Sequence, residues 1–168
     1  MRRVVIYIRY AFPDNMMMIA RNADYEDVLK AVKDHNVTVW TCNTCARLCN
    51  GIGGKQAADR LAAKLKEDGI NVTASVSVSA ACLMSKVIAK NAEIPEGTDT
   101  ILALTCDVGA TCAGVVFNKE VMIPFVTLGS GFVNVDGTIV VTSCDNAKIP
   151  ATLADVAKEK GMSASPLV

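Results

Sequence analysis

Three times in this chain an apolar run of strand length leads into a cysteine and then into a helical pattern. Residues 37–41 run straight into Cys42, residues 70–78 are followed within a few positions by Cys82, and residues 100–105 abut Cys106. The third run is almost continuously apolar, as expected of a strand buried on both faces. Between the first two, residues 55–68 carry Ala57, Ala58, Leu61, Ala62 and Leu65 on one helical stripe, and Gly69 stops the helix. A short helix with Leu83, Val87 and Ile88 inward follows the second strand. An alanine- and valine-rich helix ending near Asn118 follows the third, and residues 121–125 read as a fourth strand. Strand and helix in four successive units predict an α/β fold, a mostly parallel open sheet with flanking helices, flavodoxin-like or Rossmann-like. Ligands of such sheets bind beyond the carboxyl ends of the strands, so three strands send thiols to one edge and predict a metal site there.

The densest cysteine run lies at the end of the first of these strands. Cys42, Cys45 and Cys49 fall within eight residues, in a C-x2-C-x3-C spacing that Gly51, Gly53 and Gly54 close. A core would place Leu or Val there, since the reactivity of a cysteine, more than its packing, decides whether it stays. Three such thiols read as ligands of a 4Fe-4S cluster, with Cys82 or Cys106 as the fourth. Zinc is the alternative, although structural zinc sites more often use two C-x2-C knuckles and only one is present. Gly51, Gly53 and Gly54 are read as cofactor-binding, their amides approaching the sulfides. A phosphate cradle is the weaker reading of the same glycines, because the dinucleotide fingerprint is absent. Cys112 and Cys144 read as inert buried thiols, Cys144 serving as an extra ligand if the hairpin folds back over the sheet edge.

Composition narrows the setting. The 168 residues include 17 basic and 17 acidic side chains, 51% hydrophobic residues and only 5% aromatics. A balanced charge leaves no footprint for nucleic acid or an anionic membrane. There is no apolar run of membrane-spanning length and no signal-peptide order. Seven cysteines without a secretory signature point to a reducing, cytoplasmic compartment rather than a disulfide scaffold. One histidine and no paired carboxylates leave no catalytic set to argue, so the chain reads as a non-catalytic subunit.

The remaining segments are read as follows. Residues 2–10 form a strand or extended arm, residues 12–15 break it, and residues 16–21 make a short helical turn. Asp24 caps a helix over 25–34, with His35 at its C-terminal cap. Residues 128–132 form a flexible or ligand-hugging loop. Asp136-Gly137 turns a hairpin of type I′. Thr152 caps a last helix to Lys160, and a frayed tail ends the chain. The domain division is a terminal extension over 1–23 and a single α/β metal-binding domain over 24–168.

With these residues in view, the chain resembles the small metal-binding subunit, MetV-like, of two-subunit methylenetetrahydrofolate reductases, and the C-terminal domain of some single-chain versions. The resemblance covers about residues 24–129. It rests on Cys42-x2-Cys45-x3-Cys49 with Gly53-Gly54 and a helix, on Ala80-Ala81-Cys82, on the run 101–109 through Cys106-Asp107-Val108-Gly109, and on the strand and loop over 124–129. It implies an iron–sulfur accessory subunit in one-carbon metabolism, relaying electrons to a flavin-containing TIM-barrel reductase subunit or another redox partner. The implied ligands are drawn from Cys42, Cys45, Cys49, Cys82 and Cys106. The family's second cysteine-rich segment, with a G-x-C-P-type run, has only Cys144 as a counterpart, so a second metal site is not expected. The rival reading is a zinc-binding structural or methyl-transfer domain without a redox role.

Overall fold

The computed structural model describes residues 16–145 and 150–168. The strand read over 2–10 and the break over 12–15 lie outside these residues. The first described element corrects the sequence reading: residues 16–21 are not a helical turn but strand β1 (Met16–Arg21). Met18, Ile19 and Ala20 are all fully buried, and their pairing partner lies far along the chain, where local propensity has no view of it.

Helix α1 (Tyr25–Val32) starts at Asp24, which forms a capping box with Asp27. Strand β2 (Asn36–Cys42) follows and is buried from Val37 onward. His35 is not the helix cap, a place that Lys33 takes. Its Nδ1 lies 2.8 Å from Thr100 Oγ1 and 3.2 Å from Asp99 Oδ1, so it clamps the entry to β2 against the next strand over. The short helix α2 (Cys45–Leu48) and the long helix α3 (Lys55–Glu67) lead to β3 (Asn71–Val78). Then come α4 (Met84–Ile88) and β4 (Thr100–Leu104), every residue of which is buried. On α4 only Val87 is inward; Leu83 and Ile88, expected to be buried, are about half exposed. Helix α5 (Asp107–Phe117) ends on Asn118 in the left-handed conformation and leads to β5 (Glu120–Met122).

The fourth strand of the sequence reading is two strands. The chain leaves β5 at Ile123-Pro124 and enters β6 (Phe125–Val133), which belongs to a different sheet. Residues 128–132 are therefore strand, not loop. Their glycines are there because a neighbouring backbone passes too close for a side chain. A Cβ at Gly129 would lie 1.8 Å from Ser143 O, and one at Gly131 1.9 Å from Val140 O. The hairpin to β7 (Ile139–Cys144) forms as expected but not through a type I′ turn. Positive φ occurs at Gly137 alone, Gly137 N–H donates to Asn134 O and Asn134 N–H to Thr138 O. That is the longer loop with one left-handed glycine. The two-residue β8 (Ala151–Thr152) precedes α6 (Leu153–Glu159), capped by Thr152 Oγ1 as predicted. The tail is docked, not frayed: Ser163 bridges Arg21 of β1, and Asn50 Nδ2 donates to Ala164 O.

The architecture is α/β with two four-stranded sheets. One is wholly parallel, in the order β3-β2-β4-β5, and the other wholly antiparallel, in the order β1-β6-β7-β8. This corrects the expectation of one mostly parallel sheet. Helix α3 packs on β2 and β3, whereas α5 packs on β4 and β5. Right-handed crossovers put them on opposite faces, because the chain steps one way from β2 to β3 and the other way thereafter. The order reverses between β2 and β4, the place where a crevice opens at the carboxyl edge. Among the described residues no helix is long and apolar enough to cross a membrane.

Candidate metal and thiol site

Cys42 is the last residue of β2, and Cys106, two residues past the end of β4, is the N-cap of α5. These two thiols flank the reversal point of the parallel sheet. Cys45 opens α2 and Cys49 closes it. Cys82 sits in the turn after β3, where Leu83 N–H returns to Ala80 O. The loop carrying it lies against the start of α5: a Cβ on Gly109 would come within 2.8 Å of Ala81 Cβ. Five thiols predicted from the sequence are thus brought to one edge.

Their coupling shows in the electrostatics. Burial raises the Cys45 thiol above its ordinary pKa, and the charges of Cys42, Cys106 and Cys82 push the same way, against the Met17 amide. Cys106 is raised by burial, then eased by the Gly109 amide and the Thr105 hydroxyl, and raised again by Cys42 and Cys82. Cys49, wholly buried, is pushed up to about 11 by desolvation and by Cys45 and Cys106, the Ile19 amide opposing. Cys49 donates to Met17 O at 3.5 Å, and Cys42 approaches Ser79 O at 3.9 Å. Cys45 and Cys106 are the centre of the group, Cys82 is its exposed corner and Cys49 its buried flank.

The loop holding these thiols is knitted by side chains that no motif or spacing singles out. Thr41 Oγ1 donates to Leu104 O at 3.0 Å and accepts from Gly54 N–H at 2.7 Å, tying β2, β4 and the glycine turn together. Asn43 Oδ1 accepts from Lys55 N–H and Thr44 Oγ1 bonds Ser79 O. Asp107 Oδ2 accepts from Thr127 N–H at 3.3 Å while Thr127 Oγ1 accepts from Asp107 N–H at 3.0 Å, so the helix behind Cys106 is fastened to β6.

The three glycines do other work than the one expected. Gly51 N–H goes to Arg47 O, Gly53 N–H to Ala46 O and Gly54 N–H to Thr41, so none of these amides ends on sulfur. Gly53 is required by packing, since a Cβ would meet Ala46 Cβ at 2.5 Å and Leu104 O at 2.8 Å. All three line a cleft of about 580 Å³ whose charged walls, Arg47, Lys55 and Arg60, are all basic. Cys112 is buried on α5 and raised by that burial. Cys144 ends β7 opposite Gly129, its thiol directed to Asp145 O.

The donor set is sulfur only, with no carboxylate or imidazole among the five, and soft thiolates of this kind select zinc, copper(I) or iron–sulfur clusters. Among the described residues no three Cys, His, Asp or Glu donors are drawn close enough to grip a single ion. A tetrahedral zinc would need its sulfurs about 3.8 Å apart, given a Zn–S distance of about 2.3 Å. In a cluster each thiolate binds its own iron, so the sulfurs stand wider. By chemistry, a set of thiolates alone suits a soft metal or a cluster. Comparison of the chain with protein-family models, with curated proteins and with solved structures gives no match in any of the three.

Proposed function

We propose that this edge holds a 4Fe-4S cluster and that the chain is an electron-transfer accessory subunit of an oxidoreductase. The partner is a flavoprotein of the methylenetetrahydrofolate reductase kind. The observation that carries the reading is the convergence of Cys42, Cys45, Cys82 and Cys106, with Cys49 behind them, on the reversal point of a parallel sheet. The strand order is that of the flavodoxin-like folds, in which the same crevice takes a redox cofactor. A cluster there supplies one-electron chemistry. The residues of the chain bind it, exclude water around Cys42, Cys49 and Cys106, and aim amides at its sulfurs. The Gly109 amide at the start of α5 faces Cys106, where the helix dipole favours negative charge. The exposed corner at Cys82 is rimmed by Leu83, Met84 and Val108, each about half exposed. A partner's flavin can approach there without crossing the protein.

The test is purification without oxygen, a visible spectrum, and iron, sulfide and zinc per chain. About four irons and four sulfides, bleached by dithionite, are expected. Cys45→Ala and Cys106→Ala are expected to lose the chromophore, as the two central thiols. Stoichiometric zinc with no chromophore after anaerobic reconstitution would sink the electron-transfer reading in favour of a zinc-binding structural or methyl-transfer domain.

A further inference from the structure

Strand β1 lies at the outer edge of the antiparallel sheet, paired with β6 on one side only. An unpaired strand edge is a row of amides and carbonyls that must go somewhere. Alternation along the strand decides which residues face that edge. Asn22 N–H bonds Pro124 O, on the β6 side, so the even-numbered amides face β6 and the odd-numbered ones face away. The irregularity in the β1–β6 register leaves this parity intact, because the extra residue, Leu128, is on β6. Arg21 N–H and C=O are both taken by Ser163 of the tail, at 2.8 and 3.1 Å. The next two outward positions are Ile19 and Met17. Helix α2 packs against this strand, and the Ile19 and Met17 backbone eases the Cys49 and Cys45 thiols respectively towards the thiolate. Met17 O, on the same edge, receives the Cys49 thiol.

We propose that the antiparallel sheet is a wall of the thiol site, the outward amides of Met17 and Ile19 donating hydrogen bonds to the sulfurs of Cys45 and Cys49. The pairing is one to one along the strand and uses the whole edge: Met17 to Cys45, Ile19 to Cys49, Arg21 to the tail. It deepens the cluster reading, because N–H donors to cysteine sulfur stabilise the more negative, reduced state of a cluster and raise its potential. The glycine amides of the cysteine turn, the obvious donors from sequence, are spent on that turn. Two backbone positions more than twenty residues upstream take their place.

Two measurements on the full chain test this. In the reduced, metal-free protein, amide exchange followed by NMR should show Ile19 and Met17 protected although their strand edge has no neighbouring strand there. Cys49→Ala should speed exchange at Ile19 on the order of tenfold, and Cys45→Ala should do so at Met17, with Ala20 unmoved in both. Protection that survives loss of the sulfur, or no protection in the parent protein, overturns the proposal whether or not any cluster forms. In the cluster-loaded protein, Met17→Pro and Ile19→Pro remove one outward donor each without breaking a bond to β6, and an edge strand is a setting in which proline is tolerated. Each should lower the midpoint potential, with iron content unchanged. Met18→Pro, which faces β6, should instead destabilise the fold. Full cluster content with an unmoved potential in both outward variants overturns the tuning role. Failure of the parent protein to take up a cluster counts against the functional reading alone, since the exchange experiment still judges the hydrogen bonds.

Discussion

Cys49 is the residue whose surroundings are most at odds with its chemistry. It is fully buried, and desolvation holds its thiol protonated up to about pH 11, against an ordinary value of 9.0. The unfolded chain releases this proton near 9.0 and the folded chain only near 11, so stability is intact below pH 9 and declines as pH rises between the two values. The decline is about 2–3 kcal/mol from this group. Urea denaturation of metal-free, reduced protein at pH 7, 9, 10 and 11 should show it. In Cys49→Ala the protein should be less stable at pH 7, from the lost packing, yet its alkaline slope should be flatter. Equal slopes in both proteins would refute the assignment. The identity of the five thiols was legible in the sequence because spacing and position after apolar runs mark them. The donors around them were not: Met17, Ile19 and Gly109 act through backbone amides, which every residue type but proline possesses.

At the scale of elements, the parallel sheet was readable, while of the antiparallel one only the hairpin into β7 was, for a physical reason. Strand β4 announces itself by five buried residues in a row, and α3 by an apolar stripe between a glycine turn and Gly69. Strand β6 carries Gly-Ser-Gly in its middle, a pattern that mimics a loop. There the glycines report a close backbone approach from β7, a tertiary fact with no local signature. Gly131→Ala tests this. The added methyl has no room beside Val140 O at 1.9 Å, so destabilisation of about 3 kcal/mol or more is expected from denaturation. A change within about 0.5 kcal/mol, the range of an ordinary surface substitution, would show that the strands can part at no cost. Leu83 and Ile88 taught the opposite lesson. Helical periodicity marked them as inward, but α4 is a single short turn and buries only Val87.

For the whole molecule, one apolar core runs through both sheets, from Trp40 and Leu102 in the parallel layer to Phe125, Val141 and Leu153 beyond it. The Asp107–Thr127 pair fastens the layers at the thiol edge. Unfolding should therefore be a single cooperative event. Fluorescence of Trp40, the only tryptophan, reports the parallel layer, and amide exchange at fully buried Val141 reports the antiparallel one. Both should give the same denaturant midpoint in reduced, metal-free protein; two separated midpoints would mean two independent units. The interleaving of the layers also fixes an order of events during synthesis. Strand β1 emerges first but pairs with β6, so it waits while all five thiols and the whole parallel sheet are made. At the usual pace of translation the hairpin β6–β7 follows on the order of seconds later. For that interval the side of the thiols that β1 comes to cover stands open, and the pairing of β1 with β6 closes it.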